Sequence, residues 1–276
     1  MYLNFNSEII NTEPALLSVQ NRGFKFGDSV FDTLKSYKNT IFFLEDHYFR
    51  LMSSMRMLRM EIPGNFTLEY YSEQIIKTLK ANKIDGYGRT RVSIFRKEGG
   101  LYTPKTHEIG FIIESVELKP ATNETYEIEL FKDYTINSDQ LSNIKTNNRI
   151  LNVVAGIYAD ENNFENCILL NEKKNVVEMI NANIFLIKDG NITTPPLSEG
   201  CINGIIRKNI LSYLKKTKIY NIREAVITPF ELLQADEVFI SNSIIDIQSV
   251  TKYRKKTYDT KIGKELNTIL KKTYNS

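Results

Sequence analysis

One amine, one carboxylate and one glycine stand in order between Asn143 and Arg207. Lys145 lies in Asn143-Ile144-Lys145-Thr146-Asn147-Asn148-Arg149, Glu178 in Val176-Val177-Glu178-Met179, and Gly204 in Asn203-Gly204-Ile205-Ile206-Arg207. A lysine amine can form a Schiff base with an aldehyde, provided it is desolvated enough to lower its pKa and expose the lone pair. A half-buried carboxylate at a strand end needs a cationic partner, and a protonated ring nitrogen is one. A glycine that opens a helix leaves backbone N–H groups free to take a phosphate. Together the three parts suit a phosphorylated aromatic aldehyde, pyridoxal 5′-phosphate. Taken singly, each has a plainer reading: a solvated lysine at a helix start, a glutamate near a turn, an ordinary helix N-terminus.

The elements that must position these groups are legible in part. Residues 1–45 read as short strands and turns, with Ile41-Phe42-Phe43-Leu44 an apolar strand. Asp46 is the expected N-cap of an amphipathic helix over 47–60, where Tyr48, Leu51, Met52, Met55 and Leu58 recur at helical spacing. The methionines there read as core packing, and Pro63-Gly64 ends the element. A second helix is expected over Thr67–Asn82, and strands over Arg91–Arg96 and Glu108–Val116. Tyr126–Phe131 alternates as a strand. Lys145 is placed at the start of a helix marked by Ile150, Val153, Val154, Ile157 and Tyr158. Cys167–Leu170 and Ile184–Ile187 read as short strands, Ile205–Leu214 as a helix burying Ile206, Ile210 and Leu214, and Glu237–Ser241 as a strand. Thr228 and Glu231 form a capping-box pair. Strands with interspersed helices give an α+β protein of two domains, with a boundary at or just after the polar Lys119-Pro120-Ala121-Thr122-Asn123.

Bulk properties exclude several classes. A chain of 276 residues, 42% hydrophobic and 25% charged, is an ordinary globular composition. The net charge of +3 is scattered, so nucleic-acid binding is not indicated. No apolar run reaches the length of a membrane span, and the N-terminus lacks the pattern of a signal peptide. Cys167 and Cys201 read as small buried hydrophobes, which fits a cytoplasmic setting. Two histidines and two scattered cysteines make no metal cluster.

From Phe24-Lys25-Phe26-Gly27-Asp28 to Gln234-Ala235-Asp236-Glu237 the chain resembles the class IV aminotransferases. That family of pyridoxal 5′-phosphate enzymes includes branched-chain and D-amino-acid aminotransferases and 4-amino-4-deoxychorismate lyases. The resemblance implies a fold-type IV enzyme: a small N-terminal α/β domain (residues 1–120), a larger C-terminal domain with a barrel-like sheet (residues 121–276), and the cofactor in the cleft between them. It implies that Lys145 is the catalytic lysine, holding the cofactor at rest and then shuttling the proton at the substrate carbon. Glu178 would hold the ring nitrogen, and Asn183 would orient the ring or the backbone beside it. Gly204-Ile205-Ile206-Arg207 matches a phosphate loop usually written Pro-Gly-Ile-Thr-Arg. The N–H groups of Ile205 and Ile206 can still serve, but Asn203 replaces the proline, and Ile206 removes a hydroxyl. Arg50 matches the phosphate-binding arginine, and Ser243 falls where relatives often carry threonine. On the substrate side, Phe31 and Lys35 alternate on one strand face that the family points into its pocket. Arg91 matches a basic position that meets a substrate carboxylate, and Tyr102 would sit at the pocket mouth. Sheet packing and surface charge are the plainer readings of these four.

Two reactions follow from the resemblance. One is transamination of a branched-chain or D-amino acid. The other is lysis of 4-amino-4-deoxychorismate to 4-aminobenzoate and pyruvate. Lys145-Thr146-Asn147-Asn148-Arg149, Ile202-Asn203-Gly204-Ile205-Ile206-Arg207, and Leu233-Gln234-Ala235-Asp236-Glu237 with Ser241-Asn242-Ser243 lean to the lyase. Against them, Arg89-Thr90-Arg91 and Gly99-Gly100-Leu101-Tyr102-Thr103-Pro104 read like the aminotransferases, and the balance leans to the lyase, with the aminotransferase as the alternative. A non-catalytic, ligand-binding relative is the third reading, against which the intact Lys145 and Glu178 argue. The partner is a small-molecule amino substrate, and the family resemblance implies a homodimer.

Overall fold

The computed structural model describes every residue except 13–16, 120–123, 273, 275 and 276, and the expected boundary at 120/121 lies outside the described residues. The chain divides into two compact units: Met1–Ala121 with Lys145–Asn148, and Thr122–Ile144 with Arg149–Ser276.

The first unit runs β1 (Tyr2–Phe5), β2 (Glu8–Asn11), α1 (Arg22–Phe26), β3 (Ser29–Tyr37), β4 (Thr40–Ile41), α2 (Leu44–Met57), α3 (Leu68–Ala81), β5 (Tyr87–Arg96) and β6 (Ile109–Glu117). Its strands form one antiparallel sheet in the order β2-β1-β6-β5-β3-β4 among the described residues. Alternation along β3 splits its side chains. Val30 and Leu34 join the core beneath α2 and α3, while Phe31, Thr33 and Lys35 take the other face. The helix α3 buries Tyr71, Ile75 and Leu79 one turn apart and is capped by Thr67, whose side chain accepts from the Tyr70 N–H.

Two local expectations are corrected here. Phe42-Phe43-Leu44 does not continue the strand, and Asp46 is not the N-cap. The helix α2 begins at Leu44 after Phe43, which sits at φ 52°. An earlier start seats Leu44 against the core and leaves Glu45 and Asp46 in the first turn, where the helix dipole favours them. Lys145 is also not at a helix start. The Phe31 N–H donates to Lys145 O at 2.8 Å, the Asn147 N–H to Ser29 O at 3.1 Å, and Thr146 bridges Val30. On that edge of β3, the strand β4 pairs only with Ser36 and Tyr37, and Lys145–Asn148 takes up backbone groups at the other end.

The second unit runs β7 (Glu127–Leu130), α4 (Ile150–Glu161), β8 (Asn166–Leu170), β9 (Val176–Met179), β10 (Asn183–Lys188), β11 (Asn191–Thr194), α5 (Ile205–Thr217), β12 (Asn221–Glu224), α6 (Pro229–Gln234), β13 (Glu237–Asn242), β14 (Asp246–Val250), β15 (Lys252–Tyr253), β16 (Lys256–Thr257) and α7 (Lys261–Lys272). Among the described residues these strands form two five-stranded sheets, β12-β11-β10-β13-β14 and β16-β15-β7-β8-β9. Ile128, Ile168 and Val176 from one and Ile184, Val238 and Val250 from the other share a single core, as in a barrel-like arrangement. The helix α5 buries Ile206, Ile210 and Leu214. The Thr228–Glu231 capping box opens α6, and buried Glu237 accepts from the Ile262 and Gly263 N–H groups at the start of α7.

The helix α4 buries the side that carries its alanines. Leu151, Val154, Ala155, Tyr158 and Ala159 pack on Cys167 and Leu169, and Ile150, Val153 and Ile157 are exposed. Ala155 and Ala159 let the helix lie close on β8, so the small residues decide the buried side. Both cysteines are buried and unpaired. Among the described residues no helix is long and apolar enough to cross a membrane, and no group of side chains could hold a metal ion.

Candidate functional site

In the first unit, the site-bearing face of the sheet is organised by Phe31. Lys145 Nζ lies 4.6 Å from its ring centroid, and the Arg91 guanidinium carbon 3.5 Å. Both are cation–π distances. Arg91 pairs with Thr33 across β3 and β5. Its Nε donates to Ser93 Oγ at 3.2 Å and its Nη2 to Asn147 Oδ1 at 3.1 Å, with Glu114 at 3.8 Å. Burial pulls the Arg91 pKa below its ordinary value, and Glu114 partly restores it. These contacts hold the guanidinium against the ring, beside the segment that carries Lys145. Lys35, on the same strand face, is buried, with Nζ 5.8 Å from the Phe42 ring. Arg50 reaches down from α2 to Asp32. Tyr102 is 90% exposed. Its loop is fixed from below by buried Arg22, which donates to Leu101 O at 2.6 Å and to Gly99 O at 3.1 Å, and which Asp28 holds at 2.8 Å.

In the second unit, Glu178 is deeper than expected: it lies within β9 rather than at a strand end and is only 5% exposed. Its Oε2 accepts from the Ile202 N–H at 2.8 Å. Asn183 Nδ2 donates to Ile202 O at 2.9 Å, so the Ile202 residue is gripped at both its N–H and its carbonyl. Asn143 Nδ2 holds the carbonyls of Leu197 and Cys201, each at 2.8 Å. The segment leading to α5 is therefore fixed through its backbone. Gly204 is the N-cap of α5 and, having no side chain, makes no side-chain cap bond there. A Cβ on Gly204 would fall 2.0 Å from Asn183 Oδ1, so the position needs glycine for close approach. The side chains of Ile205 and Ile206 are buried, while the first N–H groups of a helix have no partner within it.

Some residues have engagements that the sequence does not reveal. Arg207 bonds to Pro195 O and Glu224 and belongs to the framework. Arg149 Nη2 donates to Ile144 O at 2.7 Å. Burial lowers its pKa, and neighbouring Glu178 raises it. Asn242 builds the β13–β14 turn, taking the Ile244 and Ile245 N–H groups and donating to Asn181 O. Ser243 lies in that turn, partly exposed. Ser241 pairs in register with Asn183, and its buried hydroxyl has no hydrogen-bond partner. Its only sequence signal was the serine next to Asn242.

The types of group suit a phosphorylated pyridine aldehyde: the second unit carries a glycine-opened helix N-terminus and a buried carboxylate, and the first an amine set against an aromatic ring.

Comparison with known proteins agrees. The family model described as amino-transferase class IV matches residues 29–253. A putative branched-chain-amino-acid aminotransferase of Methanocaldococcus jannaschii is 27% identical over 99% of this chain and 95% of its own length. A D-alanine aminotransferase of Listeria monocytogenes is 29% identical over 89% of this chain and 85% of its own. The solved structure of a putative 4-amino-4-deoxychorismate lyase from Legionella pneumophila superposes with a TM-score of 0.84 at 20% identity, covering 95% of this chain and 96% of that one.

Proposed function

Because the chain belongs to the class IV amino-transferase family, pyridoxal-phosphate-dependent enzymes of fold-type IV, we propose that it transfers the amino group of an α-amino acid to a 2-oxo acid. The observation that carries this is the Phe31 ring, with the Arg91 guanidinium and the Lys145 amine both against it. In an α-amino acid the carboxylate is bonded to the carbon that must lose a proton. A carboxylate site and a base must then lie close together.

When bound, pyridoxal 5′-phosphate supplies the aldehyde that exchanges amines and the conjugated ring that draws electron density from the substrate carbon. The protein's own groups divide the remaining work. Lys145 moves the proton at that carbon. Glu178 keeps a proton on the ring nitrogen, and Asn183 steadies the Ile202 backbone that Glu178 also holds. The N–H groups of Ile205 and Ile206, the Arg50 guanidinium and the Ser243 hydroxyl take the phosphate. Arg91 takes the substrate carboxylate, while Phe31, Lys35 and Tyr102 shape the substrate side. A cytoplasmic homodimer is the setting we propose, from the family resemblance and the two unpaired cysteines.

Lysis of 4-amino-4-deoxychorismate is the second reading, favoured by the order Lys145-Thr146-Asn147-Asn148-Arg149 and by the Legionella structure. Two of the residues behind it, Arg149 and Asn242, are engaged with backbone. That supports a role in shaping the cofactor's surroundings more than in choosing a substrate. The relatives named for amino transfer favour the first reading.

Acceptor dependence separates the two. An aminotransferase stops after one half-reaction without a 2-oxo acid, whereas a lyase turns over unaided. We expect multiple turnovers of an L- or D-amino acid only when a 2-oxo acid is added. Release of 4-aminobenzoate and pyruvate from aminodeoxychorismate without any acceptor would instead establish the lyase.

Gly204→Ala tests the phosphate end. The added methyl group forces Asn183 off the Ile202 carbonyl, and overpacking of this kind costs about 1–3 kcal/mol. Titration of the apo protein should show pyridoxal 5′-phosphate bound roughly tenfold more weakly or worse, with secondary structure unchanged. Unaltered affinity would remove Gly204 from the phosphate site.

A further inference from the structure

Arg50 does not act as a lone charge. Its Nε donates to Asp32 Oδ2 at 3.1 Å and its Nη2 to Asp32 Oδ1, a two-pronged pair. The same Oδ1 takes the Thr33 N–H at 2.6 Å and lies 3.0 Å from His47 Nδ1. His47 and Arg50 are three residues apart on α2 and so share one helix face. Asp32 is 1% exposed and His47 fully buried, among Val30, Leu34, Leu51 and Met55. His47 Nε2 has no hydrogen-bond partner, so the polar contact this histidine makes is the one to Asp32. Burial alone would raise the Asp32 carboxyl pKa. The Arg50 charge, then His47, override it and hold the group well below the usual carboxylate range.

A buried ion pair is a poor device for stability, because apolar side chains of similar volume often do as well or better. What the pair does supply is direction. A carboxylate gripping Nε and Nη2 fixes the plane of a guanidinium, and planar fixation is what bidentate phosphate recognition needs. We infer that Asp32, backed by His47, is a positioning residue that sets the plane of Arg50 for the cofactor phosphate. This rests on the reading of Arg50 as a phosphate ligand.

The test compares binding of pyridoxal 5′-phosphate with binding of pyridoxal, which lacks the phosphate, by titration of the apo protein. Asp32→Asn keeps shape and volume but gives Arg50 a neutral amide. It should weaken pyridoxal 5′-phosphate about tenfold or more, by analogy with the loss of an orienting partner at metal sites, and leave pyridoxal within about twofold. In an Arg50→Met background, Asp32→Asn should add no further loss. His47→Gln should move affinity in the same direction by less, and it gives the same readout if Asp32→Asn does not fold. Equal weakening of both ligands, loss of melting temperature alone, or an undiminished effect in the Arg50→Met background would overturn the positioning role. If Arg50→Met itself leaves the preference for the phosphorylated ligand intact, the phosphate reading of Arg50 fails and takes this inference with it. If Arg50→Met abolishes that preference and neither Asp32→Asn nor His47→Gln reduces it, the inference alone fails.

Discussion

Lys145→Ala loses turnover by roughly 10³-fold or more while the protein stays folded. Covalent and proton-transfer roles each contribute factors of about 10²–10⁴ in typical enzymes, and here one side chain is assigned both. The fold should tolerate the change because Lys145 is tied in by its backbone. Its carbonyl takes the Phe31 N–H, and the bridge beside it runs through Thr146. The alanine keeps these contacts. Among what is lost is an amine 4.6 Å from the Phe31 ring, a cation–π attraction of about 0.5–1 kcal/mol. The expected record is a near-silent kinetic assay, an unchanged circular dichroism spectrum and partial rescue of turnover by small primary amines. Borohydride reduction of the wild type, followed by peptide mapping, should mark Lys145. A label on another lysine would move the catalytic role elsewhere.

Where local pattern and tertiary packing agree, the sequence is an adequate guide. The helix α3 keeps its Thr67 cap and its buried Tyr71-Ile75-Leu79 stripe, and α5 buries the side expected of it. Long-range pairing is where the reading stops. Nothing local tells that Lys145–Asn148 lies along β3 rather than opening α4, because the partner of that segment is more than a hundred residues away in sequence. The periodicity that marks α4 does not say which side is buried, because Ala155 and Ala159, not the larger apolar residues, decide how closely the helix packs. Motif matching named Lys145, Glu178, Gly204 and Arg50 but was blind to Asp32. A signal for Asp32 did exist: an acidic residue at the inward phase of an apolar strand, between Val30 and Leu34, implies a buried charge that needs a partner. His47 and Arg50, three apart on the next helix, are that partner. The helix α7 was also readable, since Ile262, Leu266 and Leu270 recur every four residues.

Glu178→Gln should bind the cofactor, keep the fold and slow proton removal on the order of a hundredfold or more. The two jobs of this carboxylate separate cleanly in that variant. One is structural: Oε2 takes the Ile202 N–H at 2.8 Å and helps hold the segment that ends in Gly204. A glutamine carbonyl can accept the same bond, so the loop should stay in place. Glu178→Ala would strand that N–H in a buried site, at a cost of about 1–3 kcal/mol, and would confuse a loop defect with a chemical one. The other, in the role proposed for it, is electrostatic. Glu178 is 5% exposed, so a charge there would act with little screening by water. The amide that replaces it is neutral and could not hold a proton on a ring nitrogen by charge, so a bound ring would draw less electron density while Lys145, in its proposed role, took the substrate proton. Arg149 loses a favourable neighbour as well, but it keeps its bond to Ile144 O. Melting temperature should therefore fall by only a few degrees. A deuterium isotope effect at the substrate α-carbon should grow as proton transfer becomes more fully rate-limiting. Wild-type kcat in Glu178→Gln, with the same isotope effect, would leave Glu178 as nothing more than the anchor of Ile202.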